Sequence, residues 1–311
     1  MIKLLNFNNY ELSGITYGGH GGSKKGIIID NEKWFLKYPK TTKSMENVNL
    51  SYTTTPISEY LGSCIYESIG IDTHKTKLGI ANNKIVVACK DFLNDNEIIF
   101  DYNSIKNNYD ENIEQIFISS SIKSDNDIEE VMISLDKNAY FKLIPEIKNR
   151  FWDMFVVDAL ISNNDRNDGN WGFIYDRKTK KLRIAPVFDN GACFNNKLDD
   201  ERIFAILNDE NRFIQNVYHS ATSIFKENGK IINPLKYIES MKNKDCNDAL
   251  IRIFKRIDLD KINEIFNEIP LEYNGISVFS EAQRKLYLKI LIYRYEKVFL
   301  PIYNKLVGSN N

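Results

Sequence analysis

The 311-residue sequence predicts an α+β fold in two parts: a small strand-rich unit over residues 1–92 and a mainly helical unit over 93–311. Three observations carry this prediction. Short runs rich in β-branched and aromatic residues recur up to about residue 92, separated by Asn or Asp turns. A single amphipathic helix interrupts them. From about residue 138 the apolar positions recur with the spacing of helices and largely keep it.

Taken in order, residues 1–25 are mixed and hold a dense glycine cluster at 18–22. Gly26–Asp30 and Lys33–Tyr38 read as a hairpin turning at Asn31. Pro39 stops the second strand, and 40–55 reads as a polar loop. Thr55 is the expected N-cap of the next helix, with Pro56 as its first residue. Ile57, Leu61, Ile65 and Ile69 recur every four residues along one face until Gly70. Lys77–Ile80 and Lys84–Cys89 predict a second hairpin around Asn82-Asn83. Residues 94–136 are rich in Asn and Ser and read as a loosely packed connection with short helices. Lys148–Ser162 is a strongly apolar helix, and Gly172–Tyr175 and Leu182–Pro186 are short strands. Several helices follow Phe194, ending in a long one over Glu281–Val307.

Composition bounds the function. Hydrophobic residues make up 43% and charged residues 27%, enough apolar material for a sizeable core and unlike collagen-like or disordered chains. A formal net charge of −1 weighs against general binding of nucleic acid, and no direct nucleic-acid partner is expected. The apolar run FVVDALISN is broken at Asp158, so no membrane span is expected. The N-terminal segment lacks the long apolar stretch and cleavage site of a signal peptide. The four cysteines, Cys64, Cys89, Cys193 and Cys246, form no CxxC pair, and three histidines are too few for a zinc cage. They read as reduced thiols of a cytoplasmic protein.

Three segments carry candidate chemistry. Ser162–Gly172 reads SNNDRNDGNWG and joins an apolar helix to a strand. Such a segment is at least a polar turn. Its Asp165 and Asn170 also stand five apart, the D-x-x-x-x-N spacing of a kinase catalytic loop, where the Asp accepts the hydroxyl proton and the Asn holds magnesium. Ile184–Gly191, IAPVFDNG, delivers Asp189 from a strand into an Asn-Gly turn, 24 residues after Asp165. Two carboxylates and an amide oxygen are hard ligands suited to Mg²⁺. Gly18–Gly26 reads GGHGGSKKG, whose Gly18, Gly19, Gly21 and Gly22 let backbone N–H groups approach phosphate, with Ser23, Lys24 and Lys25 beside them. It matches neither GxxxxGK[ST] nor a clean GxGxxG. Lys37, on the following strand, stands where a lysine holds the α/β-phosphates. Glu59 is its candidate partner and Glu67, on the same helix, the rival.

These motifs, with NKIVVACKDF (Asn83–Phe92), FWDMFVVDALISNNDRNDGNWGF (Phe151–Phe173), IAPVFDNGACF (Ile184–Phe194) and NKDCNDALIRIFKRID (Asn243–Asp258), resemble the HipA-like bacterial protein-kinase family along nearly the whole chain. The resemblance implies a two-lobed protein-kinase-like fold, ATP and Mg²⁺ as cofactors, and phosphorylation of Ser or Thr on a protein substrate and on the chain itself. It implies Asp165 as catalytic base, Asn170 and Asp189 as metal ligands, Lys37 as the phosphate-binding lysine and Glu59 as its helix partner. Cys89, Lys90, Asp91 and Phe92 match the hinge whose backbone holds adenine. HipA-like kinases are silenced by phosphorylation of a serine near the glycine loop, which makes Ser23 the candidate autophosphorylation site.

The chain also departs from the family pattern. Its glycine cluster begins by Gly18, without the extra N-terminal subdomain of longer HipA toxins, which weighs against a HipB-type antitoxin partner. No His-Arg precedes Asp165 and no A-P-E follows Asp189, so the activation-loop switch of eukaryotic kinases is not expected. Export without a signal, as an effector, stays open beside a cytoplasmic role. Two other readings stand beside the protein kinase: a small-molecule kinase of the aminoglycoside or choline type, and a nucleotide-binding pseudokinase.

Overall fold

The computed structural model describes residues 1–17, 24–46, 48–106 and 126–308. Six strands build the N-terminal sheet: β1 (Leu5–Asn6), β2 (Leu12–Tyr17), β3 (Lys24–Ile29), β4 (Glu32–Lys37), β5 (Thr76–Ala81) and β6 (Lys84–Lys90). Their order is β1-β5-β6-β4-β3-β2, antiparallel throughout except for β1 against β5. Both expected hairpins are present. Asp30 and Asn31 turn the first and Asn82 and Asn83 the second, all four with φ between 52° and 63°. Two left-handed residues match the strand twist, and Asn and Asp tolerate that conformation. β1 and β2 fall within the stretch that sequence alone leaves as mixed.

Alternation along the strands divides two cores. Val86, Ala88, Trp34, Leu36 and Ile27 pack with Phe7 on one face. Leu78, Val87 and Cys89 face the main core instead, together with helix α1 (Thr55–Ser68). The predicted stripe of Ile57, Leu61, Ile65 and Ile69 is buried along this helix. Thr55 is its first residue rather than its N-cap. Thr54 takes the cap position without a side-chain bond, because its Oγ1 and N–H both turn to the Asn196 carbonyl.

The second part contains a three-stranded sheet, β7 (Glu97–Asp101), β8 (Gly172–Asp176) and β9 (Lys181–Ile184), in that order. The connection over 94–136 thus supplies a strand that polar flanks conceal in the sequence. It also supplies the expected short helices α2 (Tyr102–Lys106) and α3 (Ile128–Lys137), while residues 107–125 lie outside the described ones. Helix α4 (Ile147–Ile161) runs through the centre of the core and ends at Ser162 in the left-handed conformation, φ 59°. Around it lie α5 (Asp200–Leu207), α6 (Glu210–His219), α7 (Pro234–Glu239), α8 (Lys244–Phe254), α9 (Leu259–Glu268), α10 (Glu281–Tyr293) and α11 (Leu300–Gly308). The last two form the long C-terminal helix, joined by a π-helical turn at Arg294–Phe299. Asp199, Asp209, Asn233, Asn243, Asp258 and Ser280 each accept a backbone N–H at the start of one of these helices, which fixes where they begin. Among the described residues no helix is long and apolar enough to cross a membrane.

Candidate active site

Period-two alternation puts Lys37 on the same face of β4 as Phe35, toward α1. Its Nζ lies 2.7 Å from Glu59 Oε2 and 2.8 Å from Asp189 Oδ1. The rival Glu67 instead pairs with Lys75 at the surface. Glu59 is fully buried, while Asp189 is 41% exposed, so the pocket opens on the aspartate side. Burial opposes the charge on Lys37, but Glu59 and Asp189 outweigh it and hold the ammonium well above its ordinary range. Burial likewise opposes the Glu59 carboxylate, yet Lys37 and His74 hold it far below its usual range. Asp189 is lowered chiefly by Lys37.

Asp189 has φ 60°, and the turn it starts is pressed against α1. The Asn190 N–H donates to Glu59 Oε1 at 3.0 Å and its Nδ2 to Ser63 Oγ at 3.1 Å. Only glycine fits where this turn and α1 meet. A Cβ on Gly62 would stand 2.8 Å from that of Asn190, and one on Gly191 would stand 2.7 Å from Thr55 Cγ2.

The left-handed Ser162 releases the chain from α4 into the loop bearing Asp165. Asp165 is exposed, and its Oδ1 accepts a bond from Asn167 Nδ2 at 2.8 Å. Asn170 Nδ2 donates to the Asp165 carbonyl at 2.6 Å, which leaves Oδ1 of Asn170 as a hard oxygen ligand. The spacing of five therefore closes the loop on itself.

Sequence reasoning missed what holds this loop in place. The Arg166 side chain is buried and its Nε and NH2 bond both oxygens of Asp158, at 2.9 and 3.2 Å. The same guanidinium donates to the Asn170 carbonyl at 2.8 Å, the Phe188 carbonyl at 2.5 Å and Asn190 Oδ1 at 2.6 Å. One side chain thus ties the Asp165 loop to the Asp189 turn. Burial opposes its charge, and Asp158 more than restores it. The available signal was Asp158 itself: a carboxylate inside an apolar helix must have a partner.

Gly18, Gly19, Gly21, Gly22 and Ser23 lie outside the described residues. The strands flanking them pair with Tyr17 opposite Lys24. Lys24 senses the site: burial and then Lys37 disfavour its charge, against the pull of Asp189 and Glu59. Lys25 pairs across β4 with Leu36 in the sheet. Cys89 and Lys90 lie within β6, paired to β4 and β5 on either side, and Asp91 and Phe92 follow the strand end. The Asp91 N–H bonds the Lys33 carbonyl at 2.9 Å, and its carboxylate accepts the Tyr17 hydroxyl at 2.9 Å.

A lysine clamped to a helix glutamate beneath a sheet, above a helical lobe carrying the two aspartates, is the organisation of a two-lobed kinase. No protein-family model matches the chain. It is 37% identical over 255 residues to the serine/threonine-protein kinase CtkA of Helicobacter pylori, covering 82% of this chain and 75% of that protein. The crystal structure of a Helicobacter pylori proinflammatory kinase, CtkA, superposes with a TM-score of 0.85 at 32% identity, covering 99% of both chains. HipA of Shewanella oneidensis MR-1, solved with HipB and operator DNA, shares the fold alone. Its TM-score is 0.53 at 11% identity, over 94% of this chain and 68% of that one. The chain belongs to the CtkA family of serine/threonine-protein kinases.

Proposed function

We propose that the chain transfers the γ-phosphoryl group of ATP, as its Mg²⁺ complex, to Ser or Thr hydroxyls of a protein substrate and of itself. The observation that carries this reading is Lys37, buried yet fully charged between Glu59 and Asp189, with Lys24 close enough to be repelled by it. Asp189 is the partner on the open side, so a phosphate entering there meets the Lys37 ammonium directly. Asp189 and Asn170 add the oxygen donors that Mg²⁺ prefers.

When bound, Mg-ATP supplies the group that is transferred. Lys37 would hold the nucleotide's phosphates, and Glu59 fixes Lys37. Asp189 and Asn170 would hold the metal. Asp165, exposed at the loop surface, orients the acceptor hydroxyl and takes its proton. Arg166 keeps the two halves of this machinery in register. Adenine is assigned to the backbone of Cys89, Lys90, Asp91 and Phe92, at the end of β6. The rate gain then comes mostly from positioning and charge stabilisation. Ser23 is the candidate site of autophosphorylation, where a phosphate would add about −1.5 to −2 charges beside an anionic nucleotide.

Phosphate transfer from labelled ATP, with and without a protein acceptor, tests the reading. Wild type should label itself and the acceptor, and Asp165→Asn should not. Labelling of small alcohols but not of protein would instead make it a small-molecule kinase. Nucleotide binding without any turnover would make it a pseudokinase.

A further inference from the structure

Behind Lys37, three elements are tied into a closed triangle. Along the first side, Glu59 of α1 accepts the Asn190 N–H from the Asp189 turn at 3.0 Å. Along the second, residues 72–74 lie as a parallel bridge on the segment leading to Asp189. Val187 N–H donates to the Asp72 carbonyl at 2.8 Å, His74 N–H donates to the Val187 carbonyl at 3.0 Å, and Thr73 Oγ1 donates there too, at 2.8 Å. The third side is the side chain of His74, whose Nε2 lies 2.9 Å from Glu59 Oε1.

His74 is 3% exposed, and neither ring nitrogen makes a well-aligned hydrogen bond among the described residues; the nearest acceptor to Nε2 is Glu59 Oε1, at 2.9 Å. A buried imidazole without a partner is costly, and Glu59 is the one group placed to relieve it. The carboxylate gains as well. Lys37 takes Oε2, and His74 with the Asn190 N–H takes Oε1, so the rotation of the carboxylate is fixed from both ends.

Glu59, His74 and Cys89 also bring three potential metal-ligand atoms within 4.8 Å of one another. The chemistry argues against a cation there. Lys37 already neutralises Glu59 at 2.7 Å, so a cation placed there would have to displace the ammonium or stand beside it.

We propose that His74 is a positioning residue of the phosphotransfer centre: through the contact of its Nε2 with Glu59 it sets the carboxylate that holds Lys37, and its backbone couples that carboxylate to the segment leading to Asp189. The proposal rests on the kinase reading above. It gives the segment before β5 a task that no motif in the sequence announces.

Two substitutions and one spectrum test it. His74→Phe keeps the ring and removes the N–H, whereas His74→Gln keeps a donor. His74→Phe should lower kcat/KM for Mg-ATP by about 10- to 100-fold, the usual loss when an outer partner of a functional group is removed. Its melting temperature should stay near that of wild type, and His74→Gln should regain most of the activity. The chain has only three histidines, so a ¹⁵N-histidine NMR spectrum resolves His74 directly. It should show the Nε2–H tautomer, and Glu59→Gln should shift that signal. Wild-type kinetics in His74→Phe, or a His74 signal indifferent to Glu59→Gln, overturns the proposal. If wild type transfers no phosphate at all, the kinase reading fails, while the spectrum still decides the His74–Glu59 contact.

Discussion

Replacing Arg166 by Met should unfasten the Asp165 loop from the Asp189 turn and destabilise the whole C-terminal part. The substitution removes five hydrogen bonds: two to Asp158, two to the Asn170 and Phe188 carbonyls, and one to Asn190. Asp158 would keep only the Tyr66 hydroxyl at 2.7 Å and Asn163 Nδ2 at 3.1 Å. Breaking a buried ion pair from one side costs about 3–5 kcal/mol. The two surviving donors place this case at the lower end, about 3 kcal/mol. At about 2–4 °C per kcal/mol, the figure for chains of about 150–250 residues, Tm should fall by about 6–12 °C. Removing both charges together, in Asp158→Leu with Arg166→Met, should recover part of the loss, because an apolar pair leaves no buried charge unpaired. Thermal denaturation of wild type, both single variants and the double variant gives the coupling directly. Activity measured well below Tm should remain low in Arg166→Met, since loop and turn are no longer joined. A Tm within about 1 °C of wild type, or strictly additive single effects, would refute the argument.

Asp165→Asn should cut phosphate transfer by about 10²–10⁴-fold while ATP still binds, as removal of a general base does; calorimetry and a transfer assay check both halves. Asp189→Asn should weaken nucleotide binding most at high Mg²⁺, and an unchanged metal dependence would return Asp189 to the role of a turn residue. Acid sensitivity should trace to Glu59. Its carboxyl is depressed in the folded state, so the stability it lends is complete above the unfolded value of about 4.3 and falls as pH drops below it. Stability curves of wild type and Glu59→Gln should therefore converge toward low pH. Mass spectrometry after incubation with Mg-ATP should find phosphate on the Tyr17–Lys24 segment; phosphate found only elsewhere would remove Ser23 from consideration.

Lys37 illustrates both the reach and the limit of sequence reading. Its place after a glycine-rich hairpin singled it out, and the helix spacing offered Glu59 and Glu67 as partners. A strand lysine normally leaves its ammonium in water, which would make Lys37→Ala harmless to the fold. In the structure its side chain is only 11% exposed and neutralises a fully buried Glu59. Lys37→Ala should therefore lower Tm as well as activity. The spacing of Asp165 and Asn170 was legible because the two bond one another within a single loop. Arg166, Asn190 and His74 were not, because most of their partners lie 8 to 131 residues away and no local pattern encodes such a contact. Strand β7 was hidden for a related reason. Ile98, Ile99 and Phe100 are too few to stand out beside polar neighbours, and their pairing with β8 comes from far along the chain.

The seam between α1 and the segment after Asp189 has a mechanical consequence. The Asn196 carbonyl holds the Thr54 N–H at 3.0 Å, the Cys193 carbonyl holds Ser58 Oγ at 2.8 Å, Asn190 grips Glu59 and Ser63, and Tyr66 reaches Asp158. These ties run from the first turn of the helix to its last. Five hydrogen bonds at about 0.5–1.5 kcal/mol each would have to open together for α1 to swing outward, on the order of 2.5–7.5 kcal/mol before any apolar surface is exposed. At about 1.4 kcal/mol per factor of ten, fewer than about one molecule in fifty would hold the helix open at rest. Swinging the helix is therefore uphill unless a ligand or partner binds the open form more tightly. This kinase rests with α1 set against the Asp189 turn, and anything that moves the helix must bring a preference for the open form at least as large as those ties.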